Sequence, residues 1–254
     1  VLLLDTYDTL NSGIRNAITV FNELREQGYE PLGVRIDSGD LEFLSKEIRK
    51  ILDSAGFENV KITASNDLDE NTITSLKNQG AQIDIWGVGT KMITSFDWAA
   101  LGGVYKLCAV VRDGKMIPKI KISEDPNKIN NPGYKNIYRI YDKNDNKAKA
   151  DLIVLDEEVI NENEPLTIFD PIHTWKKMTF ENFYVKKLLS PLFIDGKCVR
   201  EKRDIKDIKR YTDEEKESFW IQYRRNKNPQ IYKVDLSKKL WNMKNDLLEN
   251  RNIL

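Results

Sequence analysis

The sequence predicts an α/β fold followed by a β-rich and helical remainder, and three observations predict it. Four short apolar runs occupy the first 90 residues: Val1 to Leu4, Leu32 to Ile36, Val60 to Ala64 and Ile83 to Trp86. Between successive runs lies about one helix with two short loops, the size of a βα unit. The runs are nearly all apolar, as strands of a parallel sheet buried on both faces must be. Each run also ends in a cluster capable of chemistry. These are Asp5-Thr6-Tyr7-Asp8-Thr9, Asp37-Ser38-Gly39-Asp40 with Arg35 just before it, Ser65-Asn66-Asp67, and Gly87-Val88-Gly89-Thr90. Parallel α/β folds carry their chemistry at strand ends, so the four clusters predict one active-site rim. Taken singly, each is equally a set of turn residues that stop a strand.

The elements follow in order. Asn11 and Ser12 precede Ile14, Ala17, Ile18, Phe21 and Leu24, an apolar stripe at helical spacing that stops at Gly28. Asp40 is placed to cap a second helix, with Leu41, Leu44, Ile48, Ile51 and Leu52 inward and Gly56 at its end. A third runs from about Asp69 to Gln79 and stops at Gly80. After Gly103 the pattern changes. Val104 to Val111 reads as a strand, Asp113-Gly114 as a hairpin turn and Met116 to Ser123 as its return. Asn136 to Tyr141 and Asp151 to Leu155 alternate as a second β pair across the polar loop Asp142 to Lys149. Glu157 to Tyr211 reads as irregular with short elements. Thr212 to Arg225 and Leu236 to Asn250 read as helices, Thr212 and Glu215 forming a capping box. The expected organisation is a βα portion carrying the site over 1–110, a β-rich segment over 111–170, and an irregular and helical extension over 171–254.

Composition narrows the class. The 254 residues are 40% hydrophobic and 31% charged, as in a soluble globular protein. No apolar run approaches the roughly 20 residues that span a bilayer. Asp5 and Asp8 follow the first run too closely for a signal peptide. The chain opens inside an apolar run with no initiator Met, and is expected to be a fragment or to lack a first part. Cys108 and Cys198 stand far apart with no C-x-x-C, which fits free thiols in a reducing cytosol. Two Cys and one His cannot supply a four-ligand zinc site. Net charge is zero, yet residues 1–110 hold 10 Lys/Arg against 16 Asp/Glu and the remainder 30 against 24. The basic residues alternate with acidic ones, as on solvated helices, so no nucleic-acid partner is expected. The basic half also suits the collection of phosphorylated substrates.

Five motifs resemble those of nicotinate phosphoribosyltransferases in order and spacing. They are Asp5 to Thr9, Gly33 to Leu41, Gly87 to Thr90, Gly102-Gly103-Val104-Tyr105-Lys106-Leu107, and Pro132-Gly133-Tyr134-Lys135 with Arg139. The resemblance is strongest over Val1 to Asp142 and weaker from Asp170 to Gly196. Family members are longer at the N-terminus, so the chain is similar to their C-terminal part. The resemblance implies a partial α/β barrel of the type II phosphoribosyltransferase kind. It implies nicotinate and phosphoribosyl pyrophosphate as substrates, ATP as co-substrate, Mg²⁺, a cytoplasmic homodimer, and inactivity of this stretch by itself. The histidine that the family phosphorylates lies in a motif upstream of Asp5 to Thr9. His173 in Asp170-Pro171-Ile172-His173 is therefore read as a surface or packing residue.

Phosphoribosyl transfer needs a phosphate cradle, carboxylates or Mg²⁺ for ribose and pyrophosphate, and a clamp for the base, because its transition state is oxocarbenium-like. Gly87, Gly89 and Thr90 are the candidate cradle, their backbone amides open to phosphate and the helix start behind them favouring an anion. Gly102 and Gly103 would add amides. Arg35 and Asp37 lie two apart on one strand and share a face. The resemblance turns Arg35 toward the pyridine and phosphate pocket and Asp37 toward ribose or Mg²⁺-pyrophosphate; an intrastrand ion pair is the other reading. Asp5, Asp8, Ser38, Ser65 and Asn66 complete the candidate substrate site. Ser38 and Asp40 are read first as shaping the turn and capping the helix rather than touching substrate, and no residue is expected to act as a resident metal ligand. Tyr105, Lys106, Lys119, Lys135 and Arg139 carry the family's later pattern, and most of them are read as structural or as facing pyrophosphate. Two other classes compete: another phosphate-binding TIM-barrel enzyme, and a non-catalytic fragment or interaction subunit. The former wants a Schiff-base Lys or a Glu base at a strand end, and none of the four clusters offers one.

Overall fold

Both-face apolar strands become a parallel sheet in the computed structural model, which describes residues 1–125 and 128–249. Four strands, β1 (Leu2–Leu3), β2 (Gly33–Ile36), β3 (Lys61–Ala64) and β4 (Ile85–Trp86), pair in parallel in the order β1-β2-β3-β4. Between them lie α1 (Ile14–Glu26), α2 (Leu41–Ser54) and α3 (Glu70–Asn78), and after β4 comes the short α4 (Thr90–Ile93). The sheet is open: the structure holds no closed barrel among the described residues.

Period-two alternation sorts the two faces of this sheet. The row Leu2, Val34 and Ile62 pairs in register and belongs to one core with Ile14, Phe21, Ile48, Leu52 and Phe57 of the helices and loops. Each such large side chain contributes about 1.5–3 kcal/mol by leaving water. The alternate row is Leu3, Arg35, Thr63 and Ile85. Its end members Leu3 and Ile85 are 50% and 49% exposed.

Caps set the helix starts. Asp40 Oδ1 accepts the Glu42 and Phe43 amides, each at 3.1 Å, as the sequence predicts, and Asp69, where the third helix is expected to start, accepts the Thr72 amide on Oδ1 at 2.7 Å. At the first helix the cap is Asp8, not Asn11 or Ser12. Its carboxylate takes the amides of Leu10 and Asn11 and the Asn11 side chain. A wide helical turn over Thr9–Gly13 then leads into α1. A carboxylate accepting three N–H groups competes better for a helix start than a neutral hydroxyl or amide. Gly28, Gly56 and Gly80 close the three helices at φ near +80°, where a Cβ is strained.

The chain divides into two compact units, Val1–Gly103 and Val104–Leu254. The second is mostly strands with few helices. β5 (Ala109–Arg112) and β6 (Lys115–Pro118) form a hairpin, its turn residues Asp113 and Gly114 both at positive φ as a type I′ turn requires. The strand expected from Val104 thus begins only at Ala109, and its return ends at Pro118, which has no N–H for a ladder. The central sheet runs β11-β7-β8-β14, from β7 (Lys135–Asp142), β8 (Ala148–Leu155), β11 (Phe183–Lys187) and β14 (Val234–Leu236). Its core gathers Ile140, Ala150, Leu152, Val154, Ile168, Phe180 and Phe183.

The stretch 157–211 is irregular with short elements, as expected: β9 (Leu166–Phe169), β10 (Lys177–Phe180), β11, and the small hairpin β12 (Phe193–Ile194) with β13 (Lys197–Cys198). One expectation fails here. The helix expected over Thr212 to Arg225 is α5 (Ile205–Glu217), capped by Asp204, whose Oδ1 takes the Lys206 amide at 2.8 Å. Thr212 sits mid-helix with its hydroxyl donating to the Ile208 carbonyl at 2.9 Å, so no capping box forms with Glu215. Leu236 closes β14, and α6 (Lys238–Glu249) follows; Asn250, its expected end, lies outside the described residues.

Lys135 and Arg139 are structural. The Lys135 ammonium donates to the carbonyls of Pro132 and Gly133. The Arg139 guanidinium forks onto Asp151 at 2.9 and 3.0 Å and packs over Phe219 at 4.6 Å. Among the described residues no helix is long and apolar enough to cross a membrane.

Candidate functional site at the strand ends

Parallel strands deliver the ends of β1, β2 and β3 to one place, and five predicted residues meet there. Arg35, on the face of the sheet away from the helices, directs Nε to the Ser65 hydroxyl at 2.9 Å. That hydroxyl donates onward to Asp37 Oδ1 at 2.6 Å. Arg35 Nη2 stands 3.5 Å from Asp37 Oδ2, so the intrastrand ion pair is present too. It is loose, and both side chains are nearly half exposed, at 46% and 44%. Asp5 Oδ2, from the end of β1, accepts the Asp37 amide at 2.8 Å and the Ser38 hydroxyl at 2.5 Å. Burial pushes the Asp5 carboxyl up. The Ser38 hydroxyl and the Asp37 amide outweigh it and hold the group below the ordinary carboxylate value.

The network therefore has two layers. Asp5, Ser38 and Ser65 spend their hydrogen-bonding capacity on neighbours and fix the strand ends. Arg35 and Asp37 each keep an exposed portion of charge free to meet a ligand. A guanidinium and a carboxylate side by side on a rigid sheet can hold an anionic group and a hydroxyl-bearing group at once.

The remaining predicted residues are placed as follows. Asp8 is the helix cap described above, its carboxylate drawn down by the Asn11 side chain and amide. Asn66 is exposed and, with Asp67, left-handed, at φ 90° and 44°. Gly87 donates its amide to the Ala64 carbonyl at 2.7 Å. A Cβ there would come within 3.2 Å of the Ser65 Cβ, so this glycine lets the fourth strand end lie against the third. Gly89 has φ −120° and open space where a Cβ would stand. Thr90 begins α4, which is four residues long. The helix expected behind this loop is too short to contribute a dipole, and the loop's own amides are what it offers an anion. Gly102 and Gly103 lie in an exposed stretch without regular structure, and a Cβ on either would meet nothing within 4 Å. Among the described residues, no group of three or more His, Cys, Asp or Glu is placed to hold a metal ion.

His173 is half exposed, with Nδ1 3.5 Å from Asp170 Oδ1 and its ring edge-on to Trp175. The Asp170 carboxylate is held below its usual range by the His173 and Ile172 amides. This is a surface turn. Two residues absent from the sequence-based set belong near the site. Thr63 stands beside Arg35 in register on the same face; alternation along Lys61 to Ala64 foretells that placement. Lys91 bonds Asp69 at 2.7 Å across 22 residues of sequence, a pairing that only the folded chain reveals.

Comparison with known proteins gives this geometry a context. Residues 134–244 match the family model of the nicotinate phosphoribosyltransferase C-terminal domain. The chain is 46% identical over 244 residues to the nicotinate phosphoribosyltransferase of Bacillus subtilis, covering 96% of this chain and 50% of that protein. It is 39% identical over 249 residues to the Caenorhabditis elegans protein of the same name, covering 94% and 43%. The crystal structure of human nicotinic acid phosphoribosyltransferase superposes with a TM-score of 0.77 at 28% identity, over 97% of this chain and 46% of that one. The chain spans about half the length of the curated relatives it matches.

Proposed function

Because the chain belongs to the nicotinate phosphoribosyltransferase family, we propose that its protein joins nicotinate to phosphoribosyl pyrophosphate, giving nicotinate mononucleotide and pyrophosphate in NAD biosynthesis by salvage. The observation that carries this reading is the Arg35–Ser65–Asp37–Asp5 network on the strand ends. In the transfer, the ring nitrogen of the base bonds the anomeric carbon as pyrophosphate leaves, and positive charge develops on the ribose. Asp37 offers its half-exposed carboxylate to the ribose hydroxyls. Arg35 presents a guanidinium to the carboxylate of the base or to phosphate. The Gly87–Thr90 amides take the 5-phosphate. All act by position and charge, fixed before the substrates arrive.

ATP hydrolysis is the proposed energetic partner, through a histidine outside this chain. Mg²⁺ is the proposed metal. The exposed Asp37 carboxylate is a hard oxygen donor that suits it, and with no three-ligand cluster among the described residues, the ion would be held chiefly by pyrophosphate. When bound it neutralises charge on the leaving group. The unreversed strand order β1-β2-β3-β4 and the uncovered Leu3–Ile85 row support placing this sheet in a barrel that needs further strands. A cytoplasmic homodimer completes the reading, and the 254-residue stretch expressed alone is expected to be inactive. The test is a product assay on the full-length protein with nicotinate and with nicotinamide as acceptor. Nicotinate mononucleotide is the expected product, and its absence would refute the proposal.

A further inference from the structure

The Gly87–Thr90 loop is anchored at both ends, and in its middle the Gly89 carbonyl accepts the Met92 and Ile93 amides at 3.1 and 3.0 Å. At its start the Gly87 amide bonds the Ala64 carbonyl at 2.7 Å, and Val88 packs against the core. Just past its end Lys91 Nζ bonds Asp69 Oδ2 at 2.7 Å. Asp69 is itself immobilised, because its other oxygen caps α3 by accepting the Thr72 amide at 2.7 Å. The Lys91 stem lies along a groove of about 600 Å³ shared with Leu68, Val88, Met92, Phe96 and Trp98, its ammonium 5.7 Å from the Phe96 ring centre. Between the anchors, Gly89 has nothing within 4 Å of where a Cβ would stand.

We infer that Lys91 and Asp69 are positioning residues: their ion pair bolts the far end of the loop to the start of α3 and so holds its amides in one arrangement before a phosphate arrives. The inference rests on the reading of this loop as the 5-phosphate cradle. The single turn of α4 ties the loop only through the Gly89 and Thr90 carbonyls, whereas Lys91 ties it to another element, the start of α3. A loop ordered in advance loses less entropy when its ligand binds.

Two variants isolate the ion pair. Asp69→Asn keeps a side chain that caps helices well while removing the charge. Lys91→Met keeps the apolar stem, and Lys91→Arg restores the charge. In the full-length protein, Asp69→Asn and Lys91→Met should each raise KM for phosphoribosyl pyrophosphate by about tenfold, as loss of positioning does. KM for nicotinate should stay nearly constant, and Lys91→Arg should recover most of the loss. Hydrogen exchange on the same proteins should quicken at the amides of residues 87–93 and stay unchanged in β3. A parallel rise in both KM values, unchanged KM values, or unchanged exchange over 87–93 would overturn the inference. If the wild type makes no mononucleotide at all, the reading of the function fails, and the exchange measurement still decides whether the pair holds the loop.

Discussion

Arg35 and Ser65 are joined across adjacent parallel strands, Nε to Oγ at 2.9 Å, and this bond aims the guanidinium along the rim of the sheet. Because the same hydroxyl donates to Asp37, one small side chain sets the orientation of both charged groups. Ser65 is 9% exposed, so its hydroxyl is a fixed part of the scaffold.

Arg35→Ala should therefore cost turnover and little stability. Removing a charge-assisted hydrogen bond that forms at a transition state costs about 2–4 kcal/mol, by analogy with oxyanion donors, whereas an exposed ion pair contributes about 0–1 kcal/mol to folding. Steady-state kinetics beside thermal melts will separate the two. Near-normal activity with a lowered Tm would make Arg35 a structural partner of Asp37 only.

Ser65→Ala should lower kcat while leaving Arg35 and Asp37 chemically intact. The substitution removes the bridge, and a hydrogen bond to a charged group is worth roughly 1.5–3 kcal/mol. Ser65→Thr keeps the hydroxyl and should retain more activity than Ser65→Ala. Equal activity of the two would show that the bridge has no role.

Two glycines should behave oppositely. Gly133 sits at φ +82°, and a Cβ would stand 2.8 Å from Leu155 and 3.3 Å from the Met243 sulfur. Gly133→Ala should destabilise the second unit by about 1–3 kcal/mol through strain and overpacking. Gly89→Ala meets neither obstacle. It should melt like the wild type and raise KM for phosphoribosyl pyrophosphate alone. A folding defect in Gly89→Ala, or equal weakening of both substrates, would remove the cradle assignment.

Asp5 predicts an acid limit. Its carboxyl is lowered in the folded state from 3.8, because bonds from Ser38 and the Asp37 amide exceed the opposing effect of burial. The stability this provides is fully present above the unfolded value and is lost as pH falls through the folded one. Asp5→Asn should lower Tm at pH 6 and narrow its gap to wild type below about pH 3.8, the unfolded value. A gap independent of pH over that range would show that the Asp5 charge contributes nothing.

Much of the first unit is legible in the sequence because its signals are local. The apolar runs ending at Leu4, Ile36, Ala64 and Trp86 mark strand ends, and Asp40 and Asp69 cap by binding amides two or three residues ahead. The first cap departs from expectation because Asp8, Asn11 and Ser12 are all eligible, and a carboxylate wins. The second unit misleads where one residue type serves two roles. Thr212 with Glu215 satisfies a capping pattern, yet Asp204 begins α5 earlier, and a ladder such as Lys209–Asp213 at 2.6 Å supports its exposed face. The strands β9 to β13 are two to five residues long, too short for a clear periodic signal; β9 with β10 and β12 with β13 pair as neighbours in sequence, and β11 forms only against the distant β7. In the site, strand ends announce the residue types, but which hydroxyl meets which carboxylate is a matter of register. Asp5 with Ser38, 33 residues apart, has no local signal.

The most direct measurement is mononucleotide formation by the full-length protein from phosphoribosyl pyrophosphate with nicotinate and with nicotinamide, run beside a folded Arg35→Ala variant. The account predicts nicotinate mononucleotide and pyrophosphate in equal amounts, far less product from nicotinamide, and near-complete loss in the variant. No nicotinate mononucleotide from the wild type, or undiminished product from the variant, would contradict it.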